Sequence, residues 1–281
     1  MNKTQYNLFR VKVIFPSQTE LFIGKDATPQ KIFSDCLNAQ SSIKYRENHI
    51  WKAGNIHMIN DDGGYFAFGK VSIADLETFD NDQQEFHKAR YMAGLHSIIV
   101  FSLKYELLAI QVNHKLGLTE KTAEKFQAIL RKVKQVSENN ISIIVSKIRD
   151  PKDFIHKIRN AYAIKQLKAT FTGPNPWDAD KKFQKPSAEA LKALNGDEGV
   201  TTFKGSNLNP EVVEAISRST VSTGNNAKAR ILEKRNSHLK TVSMNGDPYS
   251  LIYDKKDVDP KIVYKDSTSS YESVRYGDIE E

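Results

Sequence analysis

At 281 residues, with 39% hydrophobic and 27% charged content, the chain has the makeup of a globular protein and length enough for one large domain or two modest ones. No apolar run approaches the roughly eighteen residues of a membrane span, which argues against a membrane partner, and the single cysteine, Cys36, excludes an internal disulfide and a thiolate-based metal site. The net charge of +7 is unevenly distributed: residues 101–170 carry 14 Lys+Arg against 6 Asp+Glu, residues 1–100 balance at 11 each, and residues 171–281 carry 16 against 17. A basic band of that size suits a polyanion such as nucleic acid.

Taken in order, the chain opens with a strand from Tyr6 to Phe15, whose alternation differs from a signal-peptide core and points to a cytoplasmic chain. Glu20 to Ile23 is expected as its hairpin partner, and Thr28-Pro29 starts a helix that ends near Gln40 and buries Cys36 with Ile32, Phe33 and Leu37. His49 to Ile59 and Tyr65 to Ser72 read as a hairpin closed by Asn60-Asp-Asp-Gly-Gly64, since Asp and Gly tolerate the positive φ of a tight turn. The acidic stretch from Asp75 to Ala89 is expected as a loop followed by a helix reaching Ala93. Ile98 to Phe101 and Leu107 to Val112 form a strand pair, and Thr119 caps a long helix with an apolar stripe of Ala123, Phe126, Ile129, Leu130, Val133 and Val136.

From Ile141 the pattern is strand, helix, strand. Asp150-Pro151 opens the helix by accepting free N–H groups and removing one donor, and Leu167, Ala169 and Phe171 alternate with Lys168, Thr170 and Thr172 as in a strand buried on one side. A proline turn, GPNPWD, follows and carries Trp177. Helices are expected from Ser187 to Leu194 and from Asn209-Pro210 to Ser219, and strands over Ala227 to Glu233, Leu239 to Met244 and Tyr249 to Tyr253. Residues 255–281 lack apolar periodicity and read as a tail, although Val258, Ile262, Val263 and Tyr264 predict that it docks on the body or on a second subunit. The expected fold is α+β: a β-rich N-terminal region over 1–95, a central and C-terminal α+β region over 96–254 built on a ferredoxin-like β-α-β-α-β sheet, with a further C-terminal β-rich segment, and a tail over 255–281.

Catalytic motifs do not emerge. There is no phosphate-binding GxxxxGK[ST], the seven histidines show no metal-ligand spacing, and no cofactor is implied. Arg90 and His96 match the loose R-x4–6-H spacing of HEPN-type ribonucleases, but that chemistry needs the pair on a helix of a helical bundle. A metal-dependent nuclease would have to draw on Glu233-Lys234 and the acids Asp178 and Asp180. Nucleic-acid binding is better founded: Lys121, Lys125, Lys132 and Lys134 on the long helix, Lys165 and Lys168 on one strand and Lys228 and Arg230 on another supply cations, with Thr170 and Thr172 as hydroxyl donors. These contacts would give affinity without base specificity, with DNA favoured over RNA because the stacking aromatics of an RNA-recognition sheet are missing. Trp177, held between prolines, is a candidate anchor for a protein partner.

The segments KQLKATFTGPNP, LNPEVVEAISRSTVSTG and AKARILEKRNSHLKTVSMNGDPYSLIYD resemble an uncharacterised bacterial family associated with phage-defence and mobile-element neighbourhoods, over about residues 90–260. The opening, with GNIHMINDDGGYFAFGK, more remotely resembles RexA-like abortive-infection proteins. The resemblance implies a cytosolic bacterial homo-oligomer, such as a dimer, acting in antiviral defence through nucleic-acid contact and beside a second defence protein. The leading expectation is therefore a nucleic-acid-binding sensor or adaptor. The alternatives are a structural subunit that binds another protein through GPNPWD and the tail, and a nuclease with an unrecognised site.

Overall fold

A computed structural model describes residues 3–16, 28–39, 42–46, 49–172, 183–194, 196 and 198–277. Its spine is β1 (Thr4–Ile14), TQYNLFRVKVI, which is buried along nearly its whole length and so is covered on both faces despite the polar residues that interrupt its apolar ones. Phe9, Val11 and Val13 enter one core and Tyr6 and Leu8 another. Strand β1 ends before α1 (Pro29–Asn38), β2 (Ser42–Arg46), β3 (His49–Asn60), β4 (Gly63–Asp80), β5 (Glu85–Ser102) and β6 (Leu107–Gln111), and these strands form a large antiparallel sheet. After β6 come α2 (Thr119–Lys132), α3 (Lys134–Glu138), β7 (Ser142–Lys147), α4 (Lys152–Arg159) and β8 (Ala163–Thr172). The remainder comprises α5 (Gln184–Ala193), β9 (Glu198–Lys204), α6 (Pro210–Ser222), β10 (Ala227–Leu232), β11 (Lys240–Ser243), β12 (Ser250–Tyr253) and α7 (Pro260–Tyr276).

The large sheet has eight strands in the order β12-β1-β6-β5-β4-β3-β2, with β7 also on β1. One edge of β1 pairs with β6; its other edge is shared, β12 taking Thr4 to Asn7 and β7 taking Phe9 to Ile14. The exchange occurs at Leu8, whose N–H donates to the Tyr249 carbonyl at 2.9 Å and whose carbonyl accepts from the Ile148 N–H at 3.0 Å. A second, four-stranded antiparallel sheet runs β11-β10-β8-β9. Helices α1 to α3 close the face of the large sheet that carries Phe9, Phe66, Phe68 and Phe101. The opposite face, with Tyr6, Leu8 and Val100, packs with α4, α6 and α7 and the inner side of the small sheet, where Ile164, Leu167, Ala229 and Ile231 lie.

This architecture corrects the ferredoxin-like expectation. The central segment does alternate strand and helix, but its strands are divided: β5, β6 and β7 belong to the large sheet and β8 to the small one, while β1 inserts between β6 and β7. A strand from the far N-terminus thus occupies the position that local alternation would give to a sequence neighbour. The stretch from Asp75 to Ala93 is also not a loop and helix. It forms the outer half of the β4–β5 hairpin, in continuous register from Gly63 opposite Ser102 to Asp80 opposite Glu85. The helix expected from Thr119 breaks at Val133, which is extended at φ −61 and ψ 130, and Leu118 rather than Thr119 is its cap. Residues 260–276 form a helix capped by Asp259, with Val263, Tyr271 and Val274 buried against the body, and Ile262 half exposed. The Glu20 to Ile23 strand, like Trp177 and the GPNPWD turn, lies outside the described residues.

Candidate nucleic-acid interface

The basic helix residues meet a groove. Along β4 the side chains on one face read Phe66, Phe68, Lys70. The two phenylalanines pack under α2, their rings 5.3 Å from Phe126, and Lys70 emerges where the helix no longer covers the sheet. Opposite Lys70 in register is Trp51 of β3, 7% exposed, its ring 5.4 Å from Phe68, and His49 lies two residues before it on the same face. The third wall is the loop from Asn113 to Leu118. Asn113 donates through Nδ2 to the His96 carbonyl at 2.7 Å and accepts the Lys115 N–H at 3.1 Å, and Gly117 turns the chain at φ +93 into α2. Leu116 then packs on the core while Lys115 stays exposed. Together His49, Trp51, Lys70, Lys115, Leu116, Lys121 and Lys125 line a groove of about 280 Å³.

Four lysines converge there, and none of the described lining residues is acidic. Glu120, in the first turn of α2, is held instead by Lys147 of β7 at 3.4 Å. Lys132 continues the stripe: 3.6 residues per turn align positions 121, 125 and 132, with Lys132 roughly 10 Å farther along the axis than Lys125. Lys134 lies past the break at Val133 and pairs with Glu138 at 3.6 Å.

The strand cations form a separate group. Lys168 and Lys228 are direct cross-strand partners on the outward face of the small sheet, and Arg230 sits beside them opposite Gln166, itself opposite Lys204 of β9. Lys165 is set apart by a bulge, since the register passes from Arg230–Gln166 to Ile231–Ile164, and its Nζ donates to the Ser206 carbonyl at 2.6 Å. Helix α2 covers one face of the large sheet and the small sheet lies beyond the other, so the helix stripe and the strand cluster do not merge into one band. Thr170 and Thr172 are committed internally: Thr170 Oγ1 accepts from the Asn226 N–H at 2.8 Å, and Thr172 Oγ1 accepts from Lys12 Nζ at 2.9 Å.

Lys12 is an interior cation. It projects from β1 toward the small sheet, with Asn225 Oδ1 as its second acceptor at 2.9 Å, and burial lowers its pKa to about 7, with Arg10 and Arg149 adding to the effect and Glu198 opposing it. Arg10 beside it is fully buried, donating to Glu106 at 3.2 Å and to Tyr271 at 2.5 Å. That network fastens α7 to β1 and is structural.

The nuclease readings gain no geometry. Arg90 and His96 lie on β5, roughly 20 Å apart along an extended strand rather than one helical face. Glu233 is engaged by Lys240 at 2.7 Å, and Asp178 and Asp180 lie outside the described residues. Among the described residues no group of three or more His, Cys, Asp or Glu side chains could hold a metal, and no helix is long and apolar enough to cross a membrane. Sequence reasoning missed His49, Trp51, Lys70 and Lys115. The available signal was Lys70 falling in phase with Phe66 and Phe68, a core face that turns cationic. No family model matches the chain, and no curated protein matches it.

Proposed function

We propose that this protein binds nucleic acid through the groove between α2 and the β3–β4 hairpin, as a sensor or adaptor of bacterial antiviral defence in the cytosol. The observation that carries the binding is the convergence of Lys70, Lys115, Lys121 and Lys125 on one concavity with no acidic side chain among its described lining residues. The defence setting rests on the sequence resemblances alone. A phosphate backbone entering the groove continues along α2 past Lys132, and contacts of this kind confer affinity with little base preference. Trp51 is buried, so base stacking is not part of the proposal.

Four phosphate contacts give a log–log dependence of affinity on salt with a slope of about −3.6 for duplex DNA. Titration of duplex DNA, single-stranded DNA and RNA across a salt series tests this, with Mg²⁺ present and the products resolved on a denaturing gel. Salt-steep binding with intact nucleic acid supports the reading. Cleavage would place the protein among nucleases, and absence of binding at low salt would remove the proposal.

A further inference from the structure

The β4–β5 hairpin outruns its sheet. Strand β3 accompanies β4 only as far as Ser72, and β6 accompanies β5 only from Ile99 to Ser102. The eight residue pairs from Ile73–Met92 to Asp80–Glu85 therefore form a two-stranded ribbon, roughly 26 Å long. Residues 81–88 and 90–96 are all exposed. Two strands alone are marginal in water, and this ribbon leaves Phe86 77%, Met92 68% and Phe79 43% exposed.

One face of the ribbon carries Phe86, Lys88, Arg90 and Met92 from β5 and Glu77 and Phe79 from β4, with the Phe79 and Phe86 rings 4.9 Å apart. Its other face carries Thr78, Asp80, Glu85, His87 and the 46% exposed Tyr91, with Thr78 Oγ1 3.2 Å from His87 Nε2. The first face is self-complementary. A two-fold axis along the ribbon lays β4 of one copy over β5 of a second, setting Glu77 against the cations Lys88 and Arg90 and the phenylalanine pairs against each other. A two-fold across the ribbon centred near Glu77 would instead lay β4 over β4 and β5 over β5, acids against acids and cations against cations.

We infer that the hairpin arm is a dimerisation element, stacking through this face on the arm of a second copy of the chain. Isologous two-fold contacts are the commonest way identical subunits associate, and here they cover apolar surface that has no cover within the described chain. The inference is independent of nucleic-acid binding, because the arm and the groove share no residue among those named.

Analytical ultracentrifugation of the full chain tests it. The wild type should sediment at twice 31.8 kDa. Glu77→Lys alone or Lys88→Glu alone should weaken the dimer by roughly tenfold or more, since like charges then face each other. Mixing the two variants should restore a dimer containing one copy of each, although each arm still carries a like-charged cross-strand pair of its own. That restoration separates an intermolecular role from a loss of arm stability. Phe86→Asp should give a folded monomer. A wild-type monomer at all accessible concentrations, or a dimer indifferent to these changes, overturns the inference. So does an assembly larger than a dimer that Lys121→Glu/Lys125→Glu dissolves, because the acidic hairpin tip would then be seated in the groove of another copy.

Discussion

Two buried cations on β1 define the chemistry of the interior. Arg10 is neutralised by Glu106, and removing that carboxylate leaves a desolvated guanidinium short of its counter-ion. Glu106→Ala should cost about 3 kcal/mol in denaturant unfolding. Lys12 has no such carboxylate partner in hydrogen-bond range among the described residues, and its ammonium is supported by Thr172 and Asn225. In the unfolded chain it keeps its proton up to about 10.5, whereas in the folded protein it releases it near 7. Between those values the unfolded state binds more protons, so stability should increase as pH rises through this window and be lowest in this respect below pH 7. Lys12→Met should flatten that dependence in unfolding curves collected across the window; an unchanged slope would show that Lys12 titrates normally. Neither residue stood out in sequence, because an Arg and a Lys alternating with Phe9, Val11 and Val13 look like the wet side of an edge strand. Only the second sheet and α7, packed on that side, make them interior.

Among the elements, those with local signals were legible. The Asn60 to Gly64 turn, the strand pair around Lys104, the Asn209-Pro210 start of α6 and the closing strands all follow from turn chemistry and alternation. The elements that were not legible depend on distant partners. The outer β4–β5 arm has no buried face to impose a period, so its acidic composition resembled a loop, while its strand character comes from pairing that begins in the core at Gly63 and Ser102. Strand β9 is a half-exposed addition to β8 with little apolar alternation. Helix α7 buries Val263, Ser267, Tyr271 and Val274, spaced by three or four residues on one side, but the serine and the neighbouring Ser, Thr and Tyr residues leave that stripe too weakly apolar to read in sequence. Tyr271→Ala should therefore cost about 4 kcal/mol, combining a cavity with loss of the Arg10 contact. Ile262→Ala on the outer side should change thermal stability by no more than about 0.5 kcal/mol.

At the scale of the whole molecule, the charge asymmetry was visible in composition but its arrangement was not. A surplus of eight positive charges between residues 101 and 170 is distributed by the fold to opposite sides of the large sheet, around α2 and on the outer face of the small sheet. The groove is a site only through Lys70 and Lys115, which come from a strand and a loop outside the basic helix. The two cationic regions can be separated by experiment, and the decisive measurement is duplex DNA affinity at fixed low salt for Lys121→Glu/Lys125→Glu beside Lys168→Glu/Lys228→Glu. Binding through the groove should show a loss of roughly a hundredfold for the groove pair, a salt slope shallower by about 2, and a much smaller loss for the sheet pair. Equal losses in both variants, or a larger loss from the sheet pair, would contradict it.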